Sequence, residues 1–131
     1  MKILLVGARW YGHTTDFIAR ALRSLGHDVH VFYYRPWMTR DIDAEAERAD
    51  RLNELLRRCA DRIQPVAVVL LKGEFVSRET IQAMRRKHAT VCAWWFDDPR
   101  PWKKSLTHLE QVDPFFIFDA HYIPLLRPVL R

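Results

Sequence analysis

The chain has 131 residues, 49% of them hydrophobic and 28% charged, with a formal net charge of +5 and a pI near 9.6. That length fits one domain, residues 1–131, with a full core, and seven prolines and four glycines are too few for a disordered or fibrous chain. The positive balance suits nucleic acid, anionic lipid or phosphate-bearing ligands. Along the sequence, however, the arginines alternate with acids, as in Glu45-Ala46-Glu47-Arg48 and Arg57-Arg58-Cys59-Ala60-Asp61-Arg62, which reads as a solvated helix face with no nucleic-acid partner.

Residues 2–7 form a short apolar run ending in glycine, the first strand, and residues 8–13 are a loop. Thr14 or Thr15 is placed to cap a helix whose apolar positions Phe17, Ile18, Ala21, Leu22 and Leu25 recur at helical spacing. Gly26 falls where a left-handed helix terminator is expected. Asp28 to Tyr34 alternates imperfectly, as a strand near an edge does. After a loop over Arg35 to Arg40, an amphipathic helix runs from about Asp43 to Gln64. Its stripe is Ala49, Leu52, Leu55, Leu56, Cys59 and Ile63, and Pro65 ends it. Val66 to Leu71 is unbroken and apolar, a strand buried on both faces. Ser77 caps the next helix, which holds Thr80, Ile81 and Met84 and closes on Arg85-Arg86-Lys87, where cations complement the helix dipole. Thr90 to Phe96 is the fourth strand, with Trp94 and Trp95 in the core. A proline-rich loop over 97–103 and a short helix over 104–111 lead to a fifth strand, Pro114 to Phe118. Residues 123–130 hold one or two helical turns, interrupted by Pro124 and Pro128.

Strands alternating with helices imply a three-layer α/β domain, Rossmann-like or flavodoxin-like, with a parallel five-stranded sheet and helices on both faces. The first strand lies inside the sheet, and ligands bind in the crevice beside it where the strand order reverses. Cys59 and Cys92 read as small core residues whose spacing matches no metal or redox motif, which points to a reducing cytoplasm. The start of the chain is too short and polar for a signal peptide, and no run approaches a membrane span.

The polar residues gather where apolar runs stop. The first loop supplies Gly7, Arg9, Trp10, Gly12 and His13. Gly7 and Gly12 let the backbone turn and approach a ligand, Trp10 offers a stacking face, and His13 is a candidate general base because its pKa lies near working pH. Phe75 and Trp102 offer further flat surfaces at this edge. Lys72 and Glu74 flank Gly73 after the third strand, either as an ion pair fixing the loop or as a ligand-binding lysine with a proton-accepting carboxylate. After the fourth strand come Asp97 and Asp98. Neighbouring residues leaving a strand point to opposite sides, so one braces the loop and the other faces the crevice as a hydroxyl ligand or base. No third carboxylate has suggestive spacing, so no metal is expected. Phe118-Asp119-Ala120-His121 repeats the pattern weakly and adds Asp119 to the candidate ligand contacts.

Lys2-Ile3-Leu4-Leu5-Val6-Gly7, Leu25-Gly26-His27-Asp28-Val29, Leu71-Lys72-Gly73-Glu74-Phe75, Trp95-Phe96-Asp97-Asp98-Pro99 and Phe116-Ile117-Phe118-Asp119 occur in that order. Together they resemble the N-terminal domain of bacterial GT-B-type glycosyltransferases of the CgeB-like, spore-maturation-type family, over nearly the whole chain. The third and fourth blocks in combination are the more specific part. The resemblance implies an acceptor-side domain, with the nucleotide sugar held by a further C-terminal domain or partner chain. It also implies reaction in the cleft between the two, with no obligatory metal or cofactor. His13, Glu74 and Asp98 are then the candidates for base or acceptor contacts, and this chain alone is expected to be inactive. A cleft wall exposed with Trp10, Phe75 and Trp102 would suit a homodimer. The alternative is a non-catalytic flavodoxin-like module that binds a nucleotide, a flavin or a small effector at the loop before the first helix.

Overall fold

Five parallel strands in the order β2-β1-β3-β4-β5 make up the sheet in a computed structural model of the chain, which describes residues 1–8, 14–34, 42–87, 89–102 and 106–128. The strands are β1 Lys2–Gly7, β2 Asp28–Tyr33, β3 Ala67–Leu71, β4 Thr90–Trp95 and β5 Phe115–Ile117. The helices are α1 Thr14–Ser24, α2 Ile42–Ile63, α3 Arg78–Arg86 and α4 Ile123–Leu126. The short helix expected over 104–111 is a 3-10 turn at Thr107–Gln111. This is the doubly wound flavodoxin-like order, and its switch point lies between β1 and β3.

Two apolar layers hold the sheet between helices. On one face Leu4, Val6, Val68, Leu70, Val91, Ala93 and Trp95 pack with Leu52, Leu56 and Ala60 of α2, with Ile81 and Met84 of α3, and with Leu126 of α4. On the other face Ile3, Leu5, Val29 and Leu71 meet Ala19 of α1, with Ile18 and Leu22 beside them. The alternation follows from the strand period of two. Runs such as Ala67-Val68-Val69-Leu70-Leu71 are apolar throughout because both faces are covered.

The second face is covered only in part. Leu71 pairs with Trp94, and Trp94 pairs with Phe116, so the three share α1's side of the sheet. Leu71 is buried, while Trp94 is 42% and Phe116 53% exposed. Trp94 is therefore not core, contrary to expectation, whereas Trp95, one residue on and facing α2 and α3, is fully buried.

Helix α1 departs from its expected stripe. Thr15 and Ala19 are its buried residues, and Phe17 and Leu25 face solvent at 58% and 72% exposure, with Ala21 also exposed. Small residues are needed here because the helix lies very close to β1. A Cβ on Gly7 would stand 2.5 Å from Thr15 Oγ1. The Thr15 hydroxyl donates to the Ala8 carbonyl at 2.8 Å, so it ties the helix to the strand end and does not cap it. At the far end, Gly26 N–H bonds Arg23 C=O and His27 N–H bonds Leu22 C=O, the paired closure of a helix on a left-handed residue.

Helix α2 arranges its charges by the helical period. At 100° per residue, Arg48, Arg51, Arg58 and Arg62 fall within a sector of about 80°, while Asp50, Glu54 and Asp61 share a neighbouring one. Arg57 lies beyond those acids, and Glu54 pairs with both Arg51 and Arg58, so the charges form a solvated face of ion pairs along one side of which four arginines make a basic stripe.

Cys59 and Cys92 are half-buried, and burial pushes both thiols above their ordinary value of 9.0. No described helix is long and apolar enough to cross a membrane.

Candidate functional site

The C-terminal ends of β1, β3 and β4 bring Gly7, the Lys72-Gly73-Glu74 turn and Asp97 to the switch point. Arg9, Trp10, Gly12 and His13 lie outside the described residues, as do Tyr11, the loop over 35–40 and the side chain of Trp102.

The turn after β3 is the most constrained part of the site. Lys72 has φ 67° and Gly73 φ 78°, so two successive left-handed residues swing the chain sharply off the strand. Glycine adopts this freely, but a side-chain-bearing residue is disfavoured there by roughly 1–2 kcal/mol. Lys72 is held in place by its surroundings. Its N–H bonds the Trp94 carbonyl at 2.9 Å. Its Nζ lies 2.7 Å from Asp97 Oδ2, 3.8 Å from Glu74 Oε1 and 5.4 Å from the centre of the Trp95 ring. A non-glycine residue in this region, held by partners on both sides, is the kind of strain that marks functional turns.

The two carboxylates around Lys72 differ in access. The Glu74 side chain is 1% exposed, and the Tyr34 hydroxyl lies 2.9 Å from its Oε2 and 3.1 Å from the Leu71 carbonyl. Tyr34 is itself buried at the end of β2, with Phe75 edge-on at 6.0 Å. Glu74 thus acts from beneath, fixing Lys72 and the turn, and the mutual ion pair expected of these two residues is present. Phe75 is half-buried against this core and is not a free stacking face. Asp97 is 48% exposed and is the carboxylate that a ligand can reach.

Asp97 and Asp98 do point apart. Asp98 turns to Arg100, whose Nε lies 2.9 Å from both carboxylate oxygens and whose backbone N–H bonds Oδ1 at 2.9 Å. Asp98 is therefore the brace of this loop. The Arg100 contacts hold its carboxyl below the ordinary value of 3.8. A carboxyl depressed in the fold stabilises the loop above its ordinary pKa, and that contribution fades as pH falls through the depressed value. Arg100→Ala is expected to return the Asp98 carboxyl toward the ordinary range in a side-chain NMR titration. An unchanged midpoint would show that Arg100 is not the cause. Asp119, two strands from Lys72, accepts from His121 N–H at 2.8 Å and caps the turn after β5.

One positioning residue was not foreseen. Asn53 sits on the buried side of α2, donates to the Phe75 carbonyl at 2.9 Å and to the Ala49 carbonyl at 2.7 Å, and accepts from Ser77 N–H at 2.8 Å. Ser77 in turn caps α3 by accepting from Thr80 N–H. The chain from Lys72 to α3 is thereby pinned to α2. Asn53→Ala leaves the Ser77 N–H and Phe75 carbonyl without these partners and is expected to cost about 1–3 kcal/mol of stability in urea unfolding. A loss below about 0.5 kcal/mol would show that water replaces the amide without penalty. The available signal was a polar residue amid the apolar stripe of an amphipathic helix.

Among the described residues no three His, Cys, Asp or Glu side chains come together so as to hold a metal ion. Comparison with protein-family models, with curated proteins and with solved structures gives no match.

Proposed function

We propose that this chain is the acceptor-side domain of a glycosyltransferase. A sugar would pass from a nucleotide-sugar donor, held by a second domain or partner chain, to an acceptor hydroxyl at the β1/β3 switch point. One observation carries this reading: at the crevice the Lys72 ammonium group and the half-exposed Asp97 carboxylate stand 2.7 Å apart, a donor beside an acceptor. Such a pairing suits a hydroxyl-rich ligand, whose hydroxyl groups both accept from an ammonium group and donate to a carboxylate. In this reading Asp97 accepts a hydrogen bond from an acceptor hydroxyl, Lys72 donates to a ring or hydroxyl oxygen, and Glu74 keeps Lys72 aimed. The expectations for the first loop complete the proposal, with His13 as base and Trp10 as a stacking face.

A second reading is supported by the strand order. A flavodoxin-like sheet with its switch point between β1 and β3 is where such folds hold a flavin or nucleotide. NMR titration of the chain separates the two. The panel holds mono- and disaccharides beside UDP-, GDP- and dTDP-sugars, FMN, NAD and ATP. The acceptor reading expects saccharides to shift the amides of Lys72, Gly73 and Asp97, Lys72→Met to abolish that shift, and the nucleotides to leave the site undisturbed. Saturable flavin or dinucleotide binding at the same amides, with no saccharide response, would replace it by the second reading.

A further inference from the structure

The longest open strand edge lies away from that crevice. Among the described residues, β2 has six residues and pairs only with β1, whereas β5, at the opposite edge, has three. Asp28 N–H bonds the Met1 carbonyl at 2.9 Å and Tyr34 N–H bonds the Gly7 carbonyl at 3.1 Å, so the even-numbered residues of β2 turn their backbone toward β1. In a parallel ladder the intervening residues turn theirs outward. Val29 does so, and its carbonyl accepts from Arg23 Nη2 at 2.7 Å. Val31 is the next in that phase, and no hydrogen bond among the described residues takes up its N–H or carbonyl. An open edge of this kind is a template for another extended chain.

A groove follows this edge between β2 and α2. Phe32, Leu55 and Cys59 give it an apolar floor, the Val31 backbone forms its rim, and Arg58 and Arg62 stand along it. Both arginines belong to the basic stripe of α2. Glu54 pairs with Arg58 at 2.5 Å and with Arg51 at 3.8 Å, but Glu54 is 38% exposed and the arginines 72% and 65%. Exposed pairs within a helix contribute a few tenths of a kcal/mol and exchange readily for another carboxylate.

We propose that this edge binds an extended acidic peptide, which adds to the sheet beside β2. Its backbone pairs with Val31, alternate apolar side chains enter the groove, and its carboxylates meet Arg58 and Arg62. The charge is complementary on both scales, since the chain as a whole carries +5. A nucleic-acid strand would meet the arginines but would leave the apolar floor and the strand edge unused, which is why a peptide is favoured.

The test is fluorescence anisotropy with a short labelled peptide alternating valine with glutamate. It runs beside the same peptide with lysine for glutamate, a backbone N-methylated version, and single-stranded oligothymidylate. The glutamate peptide is expected to saturate and to protect the Val31 amide from hydrogen exchange. The lysine and N-methylated peptides are expected not to saturate. An Arg58→Glu, Arg62→Glu double variant is expected to weaken binding by roughly tenfold or more, about 1.4 kcal/mol. Both side chains are exposed, so this variant keeps the fold. The proposal is overturned by equal binding of the glutamate and lysine peptides, by binding that survives N-methylation, or by no saturation at about 1 mM. Tighter binding of the oligothymidylate than of the peptide would also overturn it.

Discussion

Trp95→Ala is expected to cost about 3–5 kcal/mol of folding stability, while Trp94→Ala costs less than about 1 kcal/mol. The two residues are neighbours of the same type in one strand. Trp95 is fully buried between the sheet and its helices, and its removal opens a large cavity beneath Lys72. Trp94 lies 42% exposed on the half-face that α1 does not reach, so its removal deletes partial contacts and leaves little void. Urea unfolding of the two variants, compared at constant slope, measures the difference. Equal losses would mean that the Trp94 face is covered in solution.

Lys72 is expected to show the second large effect. Replacing it with alanine leaves the Glu74 carboxylate, 1% exposed, without the ammonium group beside it. Removal of one partner from a buried pair typically costs 3–5 kcal/mol. Lys72→Gly removes the same charge but also relieves the left-handed backbone, which favours glycine by roughly 1–2 kcal/mol, less the 0.4–1 kcal/mol that glycine's extra freedom returns to the unfolded chain. The glycine variant should therefore be the more stable of the two by up to about 1.6 kcal/mol. If the alanine variant is as stable as the glycine one, the turn after β3 carries no strain.

The sheet was legible because its strands are buried on both faces. A run such as Val66 to Leu71 has no other reading of comparable weight, and its abrupt end at Lys72-Gly73-Glu74 places the polar turn at the ligand edge. The opposed directions of Asp97 and Asp98 followed from the strand period alone. What the sequence concealed depends on distances between elements. Nothing in Trp94-Trp95 says which tryptophan faces two helices and which faces half of one. Phe17 and Leu25 fit a helical stripe, but the close approach of Gly7 to Thr15 gives the inner row to smaller side chains. Tyr34 and Asn53 bind partners 40 and 22 residues away in sequence, separations at which no local pattern operates.

The Asn53 amide has a consequence for motion. Because it grips both the Phe75 carbonyl and the Ser77 N–H, the segment behind Lys72 cannot open as a loop does, by itself and at little cost. Opening the turn means breaking both bonds of that amide as well, so the turn is expected to open less often than a loop without such a clamp.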